Sequence, residues 1–398
     1  MSKINLYIKN KINIILAVFI IIQPVIDVLT NISIKYNIIS IGVITRAFFL
    51  MFLLYYIIFI VKEKKKIIIT LGIIFSYMAI FILNYMEINM IFRTFYFPLF
   101  LILLTTIEEK QPLEKYILAS LFIYSAIILL GDITNTAFSS YRDSKTGTSG
   151  WFYAANEVGA IIAILLPILF KTIFEKINIK KALFLILVLY SSFRIGTRIP
   201  LISIAICSFI YVVKYTIRIE SKRKKGFIIG LILTLMLALI LVIPFTPIYK
   251  NIEIHTKFLG INSFSEIFRD FKTIDHFIFS ERLSFLKNTA EVYVDSNIFS
   301  KFFGIGYEAS IKMIEMDIFD IFLRHGVIGF LIYVTGIGFI FYSNKGKYNF
   351  WYILSLGMAI FVSIFAGHVF TAPAVSIYLS FLICEGRNEN RNSNIKLQ

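Results

Sequence analysis

Apolar runs almost free of charge recur along the whole chain, Ile67–Tyr77, Ile161–Phe170 and Phe227–Phe245 among them, and they constrain the fold more than any motif does. A hydrocarbon core about 30 Å thick takes roughly 20 helical residues to cross. A transmembrane barrel would instead show alternating segments of about 10 residues. Charged residues make up 16% of the 398 positions, well below the roughly 25% of a soluble domain. Mean hydropathy is +0.81. The expectation is an all-α polytopic membrane protein with about twelve transmembrane helices. They are placed at 12–30, 39–61, 67–86, 91–107, 116–133, 151–173, 182–194, 199–216, 226–247, 322–343, 349–366 and 370–384. These form a single domain, interrupted by one large extracytoplasmic loop at 248–318.

The distribution of charge orients these spans. With the amino terminus inside, the segments assigned to the cytoplasm carry 24 of the 40 basic residues and eight acids, a difference equal to the whole net charge of +16. That is the positive-inside bias, and it places both termini in the cytoplasm. The run Lys222–Lys225 is then an orientation signal touching anionic lipid, and the basic balance does not indicate a nucleic-acid partner. Cys207 and Cys384 both fall in expected spans, so no disulfide framework is implied. No Cys/His cluster has metal-ligand spacing, and no Gly-rich phosphate loop implies a nucleotide cofactor.

In a chain that is mostly lipid-facing scaffold, ionisable residues at membrane depth or on the outer face carry the functional information. Trp151 and Tyr153 open the sixth span as interfacial aromatics, and Asn156 and Glu157 lie one to two turns deeper. These two either pair with an arginine from a neighbouring span or line a wet cavity. Gly196 and Pro200 break the next helical pair and leave Arg194 and Arg198 near the outer surface, on the side that lacks positive charge. A lipid-linked phosphate or pyrophosphate is a natural partner for such a fork of donors; the alternative is an internal salt bridge to Glu157 or Asp132.

Arg282 stands in the long loop ahead of an amphipathic stretch reaching Asp295, and by itself reads as a solvated arginine. Glu315, Asp317 and Asp320 follow as the chain returns to the membrane, as candidates for a general base or for a helix amino terminus favoured by negative charge. On a helix, Asp317 and Asp320 would share a face and Glu315 would diverge. Asp27, Arg46, Arg93 and His368 are scattered intramembrane charges, with Asp27 and Arg46 expected as a structural ion pair.

Taken together, these segments resemble the O-antigen ligase and polysaccharide polymerase superfamily over roughly residues 10–385. The resemblance lies in the aromatic–Asn–Glu start of a mid-chain span, the Gly-Thr-Arg turn at Gly196–Arg198, one large outer loop, and the Gly-x-Gly patch at Gly304–Gly306 ahead of Gly-x-x-Gly at Gly326–Gly329. It implies a metal-independent inverting glycosyltransferase of the type C-like membrane fold, in the bacterial cytoplasmic membrane. Such an enzyme acts at the outer face on an undecaprenyl-pyrophosphate-linked glycan donor and a glycan or glycolipid acceptor. Carried over by position, the family's arginines fall on Arg198 and Arg282, with Arg194 as a further donor contact. Where the ligases have a histidine eleven residues ahead of the Gly-x-x-Gly element, this chain has Glu315, which suits a polymerase-like branch using a carboxylate, Glu315 or Asp317. His325 sits beside Gly326, out of register for that base. A lipid-linked oligosaccharide flippase is the alternative, but it needs charge deep in a central cavity and has less use for so long an outer loop. A secondary transporter would show inverted repeats, and none is found.

The charge asymmetry yields a direct test. A reporter fused after Asp270 is expected to be extracytoplasmic, and one after Lys224 or at Gln398 cytoplasmic; a cytoplasmic signal at Asp270 would overturn the topology.

Overall fold

The structure is a computed structural model that describes residues 3–83, 88–107, 112–140, 146–176, 178–218, 226, 243–261, 264–307, 312–342 and 349–395. Among these the chain is helical throughout, apart from turns and one isolated bridge between Ser139 and Thr148. The helices are α1 Lys3–Lys35, α2 Ile41–Tyr55 (continued by a wider turn at Tyr56–Val61), α3 Lys64–Leu83, α4 Ile88–Thr105, α5 Glu114–Ile133, α6 Ala155–Glu175, α7 Ile179–Ile195 and α8 Arg198–Arg218. The segment after α8 holds α9 Pro247–Leu259, α10 Arg282–Asp295 and α11 Ile298–Phe303; α12 Asp317–Tyr342, α13 Phe350–Phe365 and α14 Pro373–Ile395 close the bundle.

Among the described residues seven helices are long and apolar enough to cross a membrane, and three shorter apolar helices lie at Phe92–Thr105, Phe350–Phe365 and Pro373–Gly386. The expected span at 182–194 falls on α7, which has 17 residues, and most of the one at 226–247 lies outside the described residues, as does Lys222–Lys225.

α6 is the centre of the bundle. Its run from Val158 to Lys171 is buried without interruption, because α8, α13, α14, α5 and α7 all pack against it. A helix enclosed by neighbours on every side must be apolar all round, which is how the sequence reads there. The turn between α7 and α8 is closed by Gly196 in the left-handed conformation (φ 76°), and a Cβ there would meet the Thr146 carbonyl at 2.8 Å. This turn therefore packs directly under the segment that leads into α6.

Two ion pairs among the described residues tie the bundle together. The Arg46 guanidinium contacts Asp27, which also accepts from the Tyr124 hydroxyl, and Arg46 Nε donates to Gln23 Oε1 at 3.2 Å. This is the ion pair expected from sequence, joining α1, α2 and α5. At the opposite end Lys171 lies 2.5 Å from Glu114, which accepts from the Tyr352 hydroxyl at 2.8 Å. Arg46→Leu would leave half-buried Asp27 without its cation, at a cost towards the lower end of the about 3–5 kcal/mol for breaking a buried pair. The expected result is a lowered Tm in detergent, with Arg46→Leu/Asp27→Leu recovering part of it; an unchanged Tm for the single variant would show the pair to be dispensable.

Candidate functional site

α12 begins at Asp317, and its first turn organises everything around it. Asp317 is buried, and its carboxylate accepts from the backbone N–H of His368 (3.0 Å), Val369 (2.7 Å) and Phe370 (2.9 Å) and from the Thr371 hydroxyl (2.6 Å). Asp320, one turn on, is buried too, accepting from Ile314 N (3.2 Å), Met316 N (3.3 Å) and Arg324 Nε (3.1 Å). Fully buried Arg324 donates onward to the Gly306 and Lys312 carbonyls at 3.1 and 3.0 Å. Two carboxylates thus hold two non-helical segments, 312–316 and 367–371, side by side. His325 is buried and meets the Tyr307 hydroxyl at 3.3 Å.

The glycine elements have a packing reason. Gly326 leaves helical geometry inside α12 (φ 67°), and Gly304 also has positive φ (92°). A Cβ on Gly304 would lie 2.0 Å from the Arg324 carbonyl, and one on Gly326 would lie 2.4 Å from the Phe302 carbonyl. The two elements are in backbone-to-backbone contact, which only glycine permits.

The segment 312–316 carries Glu315, non-helical with φ 60°, and so not on the helix face that the spacing considered. Its carboxylate accepts from Arg282 Nη2 at 3.0 Å and lies 3.9 Å from His368 Nε2. His368 beside it, and then the charge and hydrogen bond of Arg282, hold its pKa down to about 2 against the upward pull of burial. Burial lowers the His368 pKa, but Glu315, with Glu157 and Asp317 nearby, raises it overall. A lowered carboxylate stabilises the fold above its unfolded pKa and loses that effect only as pH falls through about 2. A raised imidazole stabilises below its unfolded value and loses that effect as pH rises through its folded one. The Glu315–His368 pair therefore stays charged from acid pH to above the ordinary histidine pKa.

Arg282 is not the solvated arginine its sequence context suggested: its side chain is only 14% exposed. Buried Asp275 fixes its position by accepting from Leu283 N (2.8 Å), Ser284 N (2.7 Å) and Ser284 Oγ (2.5 Å) at the start of α10. Arg198 reaches from the start of α8 to the Phe277 and Ile278 carbonyls and lies over the Phe277 ring at 5.6 Å. Arg198, Arg282, Glu315 and Asn156 line one cavity of about 460 Å³, together with Asn251 and His255 of α9.

Arg194 does not line it. The structure takes the internal alternative, a bidentate pair with Asp132 (Nε–Oδ2 2.6 Å, Nη2–Oδ1 3.0 Å). Glu157, the next residue after Asn156, lines a separate cavity of about 480 Å³ with Arg46, Arg93 and His368. Glu315 and His368 thus stand where the two cavities approach. Among the described residues no cluster of three or more His, Cys, Asp or Glu side chains is placed to hold a metal ion. Sequence reasoning missed Asp275, Arg324, Asn251 and the His255–His276 pair. A buried arginine four residues after an aspartate was the one readable signal, at Asp320 and Arg324.

Asp317→Leu would strip acceptors from three backbone amides and a hydroxyl at once. Hydrogen exchange is expected to quicken at His368–Phe370 while α5 and α6 stay protected; unchanged exchange there would remove Asp317 from this role.

No match was found among curated proteins or among solved structures. The chain does match the family described as O-antigen ligase like membrane protein, over residues 9–266 and 265–385. That match takes in nearly the whole chain, including Arg198, Arg282 and the Glu315–Asp320 segment, and the chain therefore belongs to the O-antigen ligase like membrane protein family.

Proposed function

We propose that this protein is a metal-independent inverting glycosyltransferase of the bacterial cytoplasmic membrane. It polymerises or ligates undecaprenyl-pyrophosphate-linked oligosaccharide at the outer face, with both termini in the cytoplasm. The observation that carries the reading is the cavity with Arg198 and Arg282 on its wall, two guanidiniums brought together from residues 84 positions apart in a multi-span protein of this family. A guanidinium fork matches phosphate oxygens bidentately, and in a site shielded from water it stabilises leaving-group charge far better than in solution.

In a single displacement the acceptor hydroxyl attacks the anomeric carbon opposite the pyrophosphate, whose departure drives the transfer. Arg198 and Arg282 take up the charge that develops on the bridging oxygen. Asn156 offers an amide to the glycan from the start of α6. Glu315 and Asp317 act in support. Glu315 orients Arg282 through their 3.0 Å contact, and Asp317 and Asp320 hold the loops that carry Glu315 and His368. Glu157 faces the adjoining cavity, where the second glycan chain has room.

Arg198→Ala is expected to abolish polymer or ligation product while the protein remains in the membrane. Arg198→Lys should recover little, because an ammonium cannot reproduce the bidentate contact. The measurement is product formation by purified protein supplied with an undecaprenyl-pyrophosphate glycan. Near-normal product from Arg198→Ala would move the donor site elsewhere.

A further inference from the structure

The same cavity is entered by a chain of ionisable groups that the transfer described above leaves without a role. His255 lies one helical turn after Asn251, on the same face of α9, and both line the cavity. Asn251 is clamped, its Oδ1 accepting from Thr146 N at 2.6 Å and its Nδ2 donating to the Thr146 carbonyl at 2.8 Å, so this face of α9 is held against the bundle. His255 Nδ1 is 3.2 Å from His276 Nε2, with the rings edge to face at 70°. His276 Nδ1 is 3.0 Å from Glu281 Oε1, and the Glu281 side chain is 51% exposed. A line of side chains therefore runs from the cavity to solvent, ending at the residue before Arg282.

The carboxylate at the outer end sets the tautomers. An ionised Glu281 only accepts, so His276 carries its proton on Nδ1 and, when neutral, offers a lone pair at Nε2. His255 Nδ1 must then donate, which leaves Nε2 as the proton-accepting atom of His255. Of the residues on the cavity wall, Glu315 and His255 are those able to accept a proton. Glu315 is bound to Arg282 and lies beside His368, and a carboxylate held at about 2 is a weak base at neutral pH, whereas an imidazole is well matched to it.

Building on the glycan-transfer reading, we propose that His255 is the general base of this site and that His276 and Glu281 are its positioning and proton-carrying partners. As the acceptor oxygen bonds to the anomeric carbon, the C–O bond to pyrophosphate breaks and its electron pair leaves with the phosphate. The hydroxyl proton passes to His255 Nε2, and the proton on His255 Nδ1 passes to His276 Nε2. The resulting imidazolium rests beside the Glu281 carboxylate rather than in the cavity with two arginines. Once the product leaves, that proton returns from His276 Nε2 to His255 Nδ1 and the proton on His255 Nε2 passes to water in the cavity, which restores the resting tautomers.

Full-length protein in lipid nanodiscs, supplied with an undecaprenyl-pyrophosphate oligosaccharide as donor and acceptor, tests this. His255→Gln is expected to lower kcat by about 10²–10³-fold with donor KM little changed. His255→Gly should regain part of its kcat on addition of imidazole, and His276→Gln should show a smaller loss in kcat. In 15N-histidine-labelled wild-type protein, His255 should carry its proton on Nδ1, and Glu281→Leu should mix the two tautomers. Wild-type kcat in His255→Gln, a raised donor KM without imidazole rescue, or an Nε2–H tautomer at His255 would each overturn the base while leaving the transfer reading intact. No product from wild type under any condition would overturn the transfer reading and the base with it.

Discussion

Backbone that leaves the helical state near membrane depth must find its hydrogen bonds within the protein, since no lipid can supply them. At the start of α12 two carboxylates meet that demand, Asp317 for the amides of 368–370 and Asp320 for those of Ile314 and Met316. Both sit where negative charge is favoured by the helix amino terminus. The remainder of the site depends on this turn, because the two held segments carry Glu315 and His368, each in the left-handed conformation that a non-glycine residue rarely adopts. Such geometry persists where the surroundings over-determine it. Here the Gly367 contact with the Glu315 carbonyl, where a Cβ would come within 2.4 Å, removes any freedom to relax.

The segment between α8 and α12 completes what the bundle begins. α9 is clamped through Asn251, and Asp275 ties off the start of α10, so that Arg282 is delivered to a cavity whose other wall is the broken turn at Gly196–Arg198. Four cations at this end have distinct carboxylate partners among the described residues: Arg194 has Asp132, Arg46 has Asp27, Arg324 has Asp320 and Arg282 has Glu315. The first three are structural pairs away from the cavity between Arg198 and Arg282. The fourth pair lines that cavity.

Much of the bundle was legible because hydrophobic burial and hydrocarbon thickness act on composition alone. The spans at α1, α2, α5, α6 and α8 read directly from apolar runs. The Asp27–Arg46 pair was legible for a related reason, since two opposite charges at the same depth of adjacent spans have few other ways to be compensated. Arg194 was harder. Its two readings, an external phosphate or an internal carboxylate, differ only in whether Asp132 comes within reach, and sequence separation does not encode that distance. Arg282 looked solvated for the same reason, because nothing in its neighbourhood announces the loop's return onto the helix ends. The contact between His255 and His276 left no trace, as the two lie 21 residues apart on separate helical turns.

The sequence by itself determined an all-helical membrane protein, its charge asymmetry and its family, together with the arginines and acids worth attention. These follow from terms that add along the chain: transfer free energy, helical rise and the distribution of charge. Tertiary structure alone decided which of those groups meet. It paired Arg194 inward, set Arg282 against Glu315, turned Asp317 and Asp320 into anchors for two loops, and brought His255 to the wall that Arg198 shares. Hydrogen bonds and ion pairs act over about 3–4 Å, so their partners are chosen by the packing of distant segments and not by the order of residues.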